Sequence, residues 1–429
     1  MAEKRSVFHS VVLDEPVCKG CTVCVTTCPV EAIRVRGGKA RILEKRCIDC
    51  GECIRRCPSY AKKAPGASLD ILREYDRTVA LPAPTLYGQF GSSYSPDRVR
   101  QALINLGFSG ICDAAAAAGD VSAATAEYLG RSDIQRPVIS SSCPVIIKLI
   151  QIRFPTLLEH LLPVLPPMEA AALAVREQEG PDTGIFFISP CPSKITAVRS
   201  PAGYGSSCIN GVFTITDLYL PLLGALKHTA HDFDGFGVSG RGYNWARSGG
   251  EIASLLAAIE SSGETQREPI RWVSAEGIDQ SIRILEAIED GKLGGIDFVE
   301  LSPCAGGCVG GALTVTLPPL AEEVIRRIGG DAPDPPSCGE GAAAELYWTE
   351  EPAARPALLL DPDYNRARKM MEEMELLYEK LPGLDCGSCG APNCHALAED
   401  IVRGDAVMED CVHILREHYE TLILGRTKK

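Results

Sequence analysis

Nineteen cysteines but only seven histidines occur in this sequence of 429 residues. Most of the cysteines fall in tight sets. Cys18-x2-Cys21-x2-Cys24-x3-Cys28-Pro29 recurs 29 residues later as Cys47-x2-Cys50-x2-Cys53-x3-Cys57-Pro58. A third set, Cys386-x2-Cys389-x4-Cys394-x16-Cys411, lies near the C-terminal end. Four more follow short apolar runs: VISSSCPVI (Cys143), FFISPCPSK (Cys191) and FVELSPCAGGCVGG (Cys304 and Cys308). Thiolates two residues apart can be aimed at one centre by a single turn, and a donor set of sulfur alone selects zinc or iron–sulfur clusters. Disulfides are the competing use in an oxidising compartment. The first residues, MAEKRSVFHSVVLDEP, hold no apolar signal-peptide stretch, and no run of about 18 apolar residues occurs. A cytoplasmic location without a membrane span is therefore expected, and the cysteines read as ligands. The net charge of −13 speaks against nucleic acid as the main partner.

The repeated C-x2-C-x2-C-x3-C-P run has the spacing of a bacterial ferredoxin, in which the fourth cysteine ligates the other 4Fe–4S cluster. One cluster is then expected on Cys18, Cys21, Cys24 and Cys57, and the other on Cys47, Cys50, Cys53 and Cys28. Pro29 and Pro58 end the ligand loops by fixing φ and removing a donor. A pair of zinc sites is the alternative, but zinc motifs rarely use three cysteines at this spacing twice over. The chemistry is one-electron transfer and names no substrate. Residues 1–63 hold 13 Lys/Arg and 7 Asp/Glu. Lys19, Arg46, Arg55 and Arg56 suit an anionic cluster; a solvated basic face, or a docking patch for an acidic electron carrier, fits the same charges. Ala32–Val35 and Ala40–Leu43 around Gly37-Gly38 read as a hairpin.

The central cysteines require an α/β layer fold to bring them together. Pro137–Ser140, Ile185–Ser189 and Ile296–Leu301 read as buried strands. Val99–Leu106, Ala114–Leu129, Phe213–Leu226, Ile252–Ile259 and Ile278–Ile288 read as helices. Ligands of such folds bind beyond the carboxyl ends of strands. Three strands side by side in one sheet would gather four thiolates, the ligand number of a cubane. Taken singly, each of these cysteines reads as a small buried hydrophobe.

In order and spacing, the three segments resemble the signature segments of FeFe-hydrogenases. FPTLLEHLLPVLPPME, Ala246–Glu251 (ARSGGE) and AIEDGKLGGIDFVEL resemble that family's neighbouring stretches. The resemblance covers about residues 10–320. It implies that Cys143, Cys191, Cys304 and Cys308 hold the 4Fe–4S cubane of an H-cluster. Cys308 would bridge to a two-iron unit with CO, CN and bridging dithiolate ligands, and Lys194 would contact a cyanide. The sequence departs from the family at several positions. Ser142 replaces a proton-relaying cysteine, Ser189 and Ser302 replace methionines, and Ala197 falls where an acidic relay residue stands. A hydroxyl is a far weaker acid than a thiol, so proton relay is expected to be slow. These changes resemble divergent groups proposed to sense hydrogen. The implied activity is reversible H2 oxidation and proton reduction at low turnover, with a redox protein such as ferredoxin and a signalling protein as partners. The alternative is a non-catalytic hydrogenase-like iron–sulfur protein, for cluster assembly or electron relay, without the two-iron unit.

The C-terminal cysteine set resembles the small 4Fe–4S domain of electron-transfer and corrinoid-related proteins, so Cys386, Cys389, Cys394 and Cys411 are expected on a fourth cluster; a zinc knuckle is the alternative. The expected architecture is an α/β hydrogenase-type core (78–330) behind an N-terminal ferredoxin-like α+β domain (1–77). A linker (331–361) and a small C-terminal helical iron–sulfur domain (362–429) follow, with helices near Tyr364–Lys380 and His395–Arg403. Cys112 and Cys208 read as buried thiols and Cys338 as free. His395 and His413 read as exposed helix residues, and the His228/His231 pair has no converging partner.

Overall fold

The computed structural model describes residues 8–229, 240–261, 269–330 and 346–424; His231 and Cys338 lie outside them. Two compact units form. One comprises Met1–Ser10, Asp49–Gly51 and Pro65–Ala354; the other comprises Val11–Ile48, Glu52–Ala64 and Arg355–Lys429. No helix among the described residues is long and apolar enough to cross a membrane.

The larger unit is a mixed α/β fold with two parallel sheets. In the first sheet the strands lie in the order Gly110–Ile111, Thr78–Pro82, Gly184–Ser189, Gly211–Thr214. In the second the order is Trp272–Glu276, Phe298–Ser302, Val138–Ile139. The central strands are apolar on both faces, as parallel strands covered by helices must be. Phe186 and Phe213, both fully buried, pack with ring centroids 5.6 Å apart, and Phe108 meets Phe213 edge-on at 5.7 Å.

The expectation of three cysteine-bearing strands in one sheet is corrected here. The strands before Cys143 and Cys304 pair with each other, but the strand before Cys191 belongs to the other sheet. Strand pairing is a long-range choice that apolar runs do not reveal. Two helix readings also shift. Phe213 ends up in a strand that gives way to the helix Ile215–His228, and Ala114–Ala117 forms a tighter turn before the helix Ala118–Leu129. Within the Pro/Gly-rich stretch read as a linker, Leu346 is buried and Tyr347 pairs with Val164.

The smaller unit holds the hairpin Ile33–Arg36/Lys39–Ile42 and the strand pair Val12–Leu13/Lys62–Lys63. It also holds three longer helices: Tyr364–Lys380, Cys394–Val402 and Val412–Leu424. The Asp363 and Asn393 side chains cap the first two by accepting N–H groups of Arg366 and Ala396. Met374, Leu381 and Leu397 pack into a common core.

Candidate metal centre

In the larger unit one cavity is lined by Cys143, Cys191, Cys304 and Cys308, together with Lys194, Ser142, Ser302, Glu251 and Glu300. The local sequence explains how the thiols arrive there. Cys143 and Cys191 each lie on a short loop after a strand, Val138–Ile139 and Gly184–Ser189, and directly precede a helix that starts with proline, Pro144–Arg153 and Pro192–Arg199. Proline suits the first helical position, and a helix N-terminus favours negative charge at such a thiolate. Cys304 and Cys308 lie on the loop after Phe298–Ser302. Gly311 lets this loop touch the one before Cys191: a Cβ there would lie 2.4 Å from the Pro190 carbonyl oxygen.

Burial first, and neighbouring thiols second, push Cys143 and Cys191 up to about 12 and Cys308 up to about 11, while Lys194 pulls the other way. Cys308 is exposed and forms part of the cavity wall. Thiols held this way do not ionise by themselves. A cationic iron–sulfur core, which binds thiolates and releases their protons, suits this donor set.

A polar network lines the same cavity. Lys194 Nζ donates to the Ser142 carbonyl at 2.8 Å. The Ser142 hydroxyl donates to Glu251 at 3.3 Å, and the Ser140 hydroxyl donates to Glu251 at 2.7 Å. Glu251 opens the helix Gly250–Ser261 and is buried. Glu300 accepts the N–H groups of Gly249 and Ile252 at 2.7 and 3.0 Å, anchoring that helix start. Burial drives both carboxyls well above the ordinary glutamate range; for Glu251, the Glu300 charge adds to the effect. Neither glutamate stood out in the sequence. The available signal was an ionisable residue inside each of two apolar runs, GGEIASLLAAI and FVELS.

The three predicted serines do not share one setting. Ser142 and Ser302 line the cavity. Ser189, fully buried, instead accepts the Cys191 N–H and donates to the Cys191 carbonyl, both at 3.0 Å, so it shapes the ligand loop. Ala197 lies in the helix after Cys191 and carries no acid. Asp49 is fixed in the same unit. It accepts from the Ser10 N–H at 2.9 Å and the Thr196 hydroxyl at 2.8 Å, and it pairs with buried Lys148. Burial raises its carboxyl, but Lys148 and these hydrogen bonds outweigh that and hold it below the usual value.

In the smaller unit, Cys18, Cys21, Cys24 and Cys57 line one cavity with Lys19 and Lys62. Lys62 is 2% exposed, and its Nζ has no hydrogen-bond partner among the described residues. An unpaired buried ammonium is costly unless an anion faces it, and a four-thiolate cluster is one. Burial raises Cys24 to about 11 and Cys53 to about 12, with Lys62 opposing. Cys28 and Cys47 belong to the same unit, whereas Cys50 falls in the Asp49–Gly51 segment. Of the other predicted cations, Arg46 pairs with Glu399, and Arg55 and Arg56 with Glu52.

Cys386, Cys389, Cys394 and Cys411 line a further cavity of the smaller unit. Hydrogen bonds from Ser388 hold Cys386 below its usual range, while burial raises Cys389. His413 Nε2 lies 3.9 Å from Cys386 Sγ. His395 is exposed and faces Glu375 at 3.8 Å. Cys208 is half-buried. Cys112, expected as a buried structural thiol, is buried, and it is disulfide-bonded.

Residues 76–312 match the family model described as iron only hydrogenase large subunit, C-terminal domain. Residues 10–58 match the family model described as 4Fe-4S dicluster domain, and residues 381–413 the one described as Putative Fe-S cluster. A solved FeFe-hydrogenase variant of Chlamydomonas reinhardtii aligns at 16% identity and a TM-score of 0.52, over 67% of this chain and 98% of that one. The apo form of another variant from the same organism gives 14% identity and 0.52 over the same shares. An uncharacterized protein of Methanocaldococcus jannaschii is 35% identical over 75 residues, 15% of this chain and 34% of that protein. The chain thus spans about a third of that curated relative. Fold and cysteine domains together define an iron–sulfur protein of the hydrogenase type. The chain belongs to the iron-only hydrogenase large-subunit family, whose C-terminal-domain model matches more than half of it.

Proposed function

We propose that this protein is a slow FeFe-hydrogenase that interconverts hydrogen with protons and electrons, and that its low flux serves hydrogen or redox sensing. The observation that carries this reading is the single cavity lined by Cys143, Cys191, Cys304, Cys308 and Lys194. Those four cysteines would hold a 4Fe–4S cubane, with Cys308 also bridging to a two-iron unit. When bound, that group supplies the metal chemistry that makes and splits hydrogen.

The chain's own residues would position the group and handle protons. Lys194, fixed on the Ser142 carbonyl, brings positive charge to the cavity wall for an anionic ligand. Glu251, kept protonated by burial, can give its proton to the Ser142 hydroxyl once that hydroxyl turns from Glu251 and passes its own hydrogen toward the cavity. A weakly acidic serine in this place slows the transfer. Glu300 is a second buried proton holder beside the start of the same helix. The ferredoxin-type clusters would connect the site to a one-electron carrier, and a separate signalling protein would read its redox state.

The test is Cys304→Ala in the full chain matured with iron, sulfide and the two-iron unit. Loss of one cubane's iron, together with loss of hydrogen turnover, is expected while the ferredoxin-type signals persist. Wild-type protein that carries every cubane but never accepts the two-iron unit would instead identify a non-catalytic relative.

A further inference from the structure

Within the smaller unit, the walls of two cysteine cavities are joined by one backbone hydrogen bond from the hairpin. Val35 lines the cavity of Cys18, Cys21, Cys24 and Cys57. Its backbone N–H donates to the Gly390 carbonyl at 2.8 Å, and Gly390 directly follows Cys389 of the C-terminal cavity. The approach is close enough to demand glycine: a Cβ on Gly390 would lie 2.1 Å from the Val35 carbonyl oxygen, and its φ is +81°. The neighbouring residue strengthens the joint. Arg36 donates to the Cys389 carbonyl at 2.9 Å and to Asp400 at 2.6 Å.

Buried charges lock the same joint. Arg34, 4% exposed, grips Asp400 at 2.7 Å, and Arg46 pairs with Glu399. Asn393, which lines the C-terminal cavity, donates to Glu31 at 2.6 Å. A tethered accessory domain would not need this set of buried ion pairs. Part of the basic excess of residues 1–63 is thus matched by acids of the C-terminal segment.

We propose that the Val35–Gly390 contact is an electron-transfer junction, making the C-terminal cluster a wired terminal of the ferredoxin-type module. This rests on the cluster assignments above but not on hydrogen turnover. A cluster held by Cys386, Cys389, Cys394 and Cys411 would, when reduced, supply one electron to an oxidised cluster held by Cys18, Cys21, Cys24 and Cys57. No bond forms or breaks, no proton moves, and an external one-electron redox protein refills the terminal.

The experiment is electron paramagnetic resonance of the reconstituted full chain, reduced with dithionite. The C-terminal cluster should show interaction broadening and shortened relaxation. Both should be lost in Cys18→Ala, which disturbs the neighbouring cluster while leaving the C-terminal ligands intact. Gly390→Val should weaken the coupling in the same direction. A C-terminal signal unchanged whether or not its neighbour is present and reduced would overturn the junction. Zinc in place of iron on Cys386, Cys389, Cys394 and Cys411 would overturn the cluster assignment as well, and metal analysis separates the two failures.

Discussion

The Ser142 hydroxyl stands 3.3 Å from a Glu251 carboxylate oxygen. A carboxyl group therefore reaches the cavity although Ala197 lacks the acid expected on the helix after Cys191. The proposed relay would have a serine in place of a thiol, with its acid supplied from the helix Gly250–Ser261.

This arrangement makes the two residues separable by mutation. Ser142→Cys should raise hydrogen turnover, because a thiol passes protons more readily than a hydroxyl. Glu251→Gln should lower it by about 10²-fold, the low end for a positioned acid–base group. Both are read as turnover of matured protein whose infrared bands match the wild type. Unchanged rates would remove Ser142 and Glu251 from the proton route.

Glu251 also carries a stability signature. Its folded carboxyl is raised above the ordinary value of 4.5, so the native state keeps a proton that the unfolded chain releases. The unfolded state binds fewer protons, and stability falls as pH climbs from 4.5 toward the raised value. The neutral form's full contribution is present only below 4.5. Glu251→Gln should flatten this decline in a thermal-midpoint series across pH. An equally steep decline would place the buried proton elsewhere.

Lys62 offers an independent test of the ferredoxin-type site. Its buried ammonium, with no hydrogen-bond partner among the described residues, lies with four cysteines in one cavity. Lys62→Met removes a positive charge that eases addition of an electron. One low-potential signal should shift to more negative potential in a spectroscopic redox titration, with iron content retained. An unmoved potential would separate Lys62 from the cluster.

Buried and surface ion pairs should differ sharply in the smaller unit. Asp400→Ala strands Arg34 and Arg36 and should cost about 3–5 kcal/mol. Arg416→Ala breaks an exposed pair with Glu420 and should cost about 0.5 kcal/mol or less. Denaturant unfolding followed through C-terminal cluster absorbance compares the two.

Features with short sequence range were legible. The helix from Tyr364 to Lys380 and the hairpin around Gly37-Gly38 follow from periodicity and turn chemistry. The four strand-end cysteines of the central cavity followed from family resemblance and ligand number. What depends on distant pairing was not legible. The split of Cys143 and Cys191 between two sheets is set by strand partners far apart in the chain. Glu251 meeting Ser142, and Asp400 meeting Arg34, join residues separated by 109 and 366 positions. No local pattern encodes such meetings. The only local trace was an ionisable residue where burial makes charge expensive.

The central claim is that Cys143, Cys191, Cys304 and Cys308 hold one cubane and that Cys308 carries a two-iron unit. Infrared spectroscopy of the matured full chain tests it most directly. Carbon monoxide and cyanide bands that shift under hydrogen, and vanish in Cys308→Ala, are the predicted result. A protein with all its cubanes intact and no such bands would contradict it.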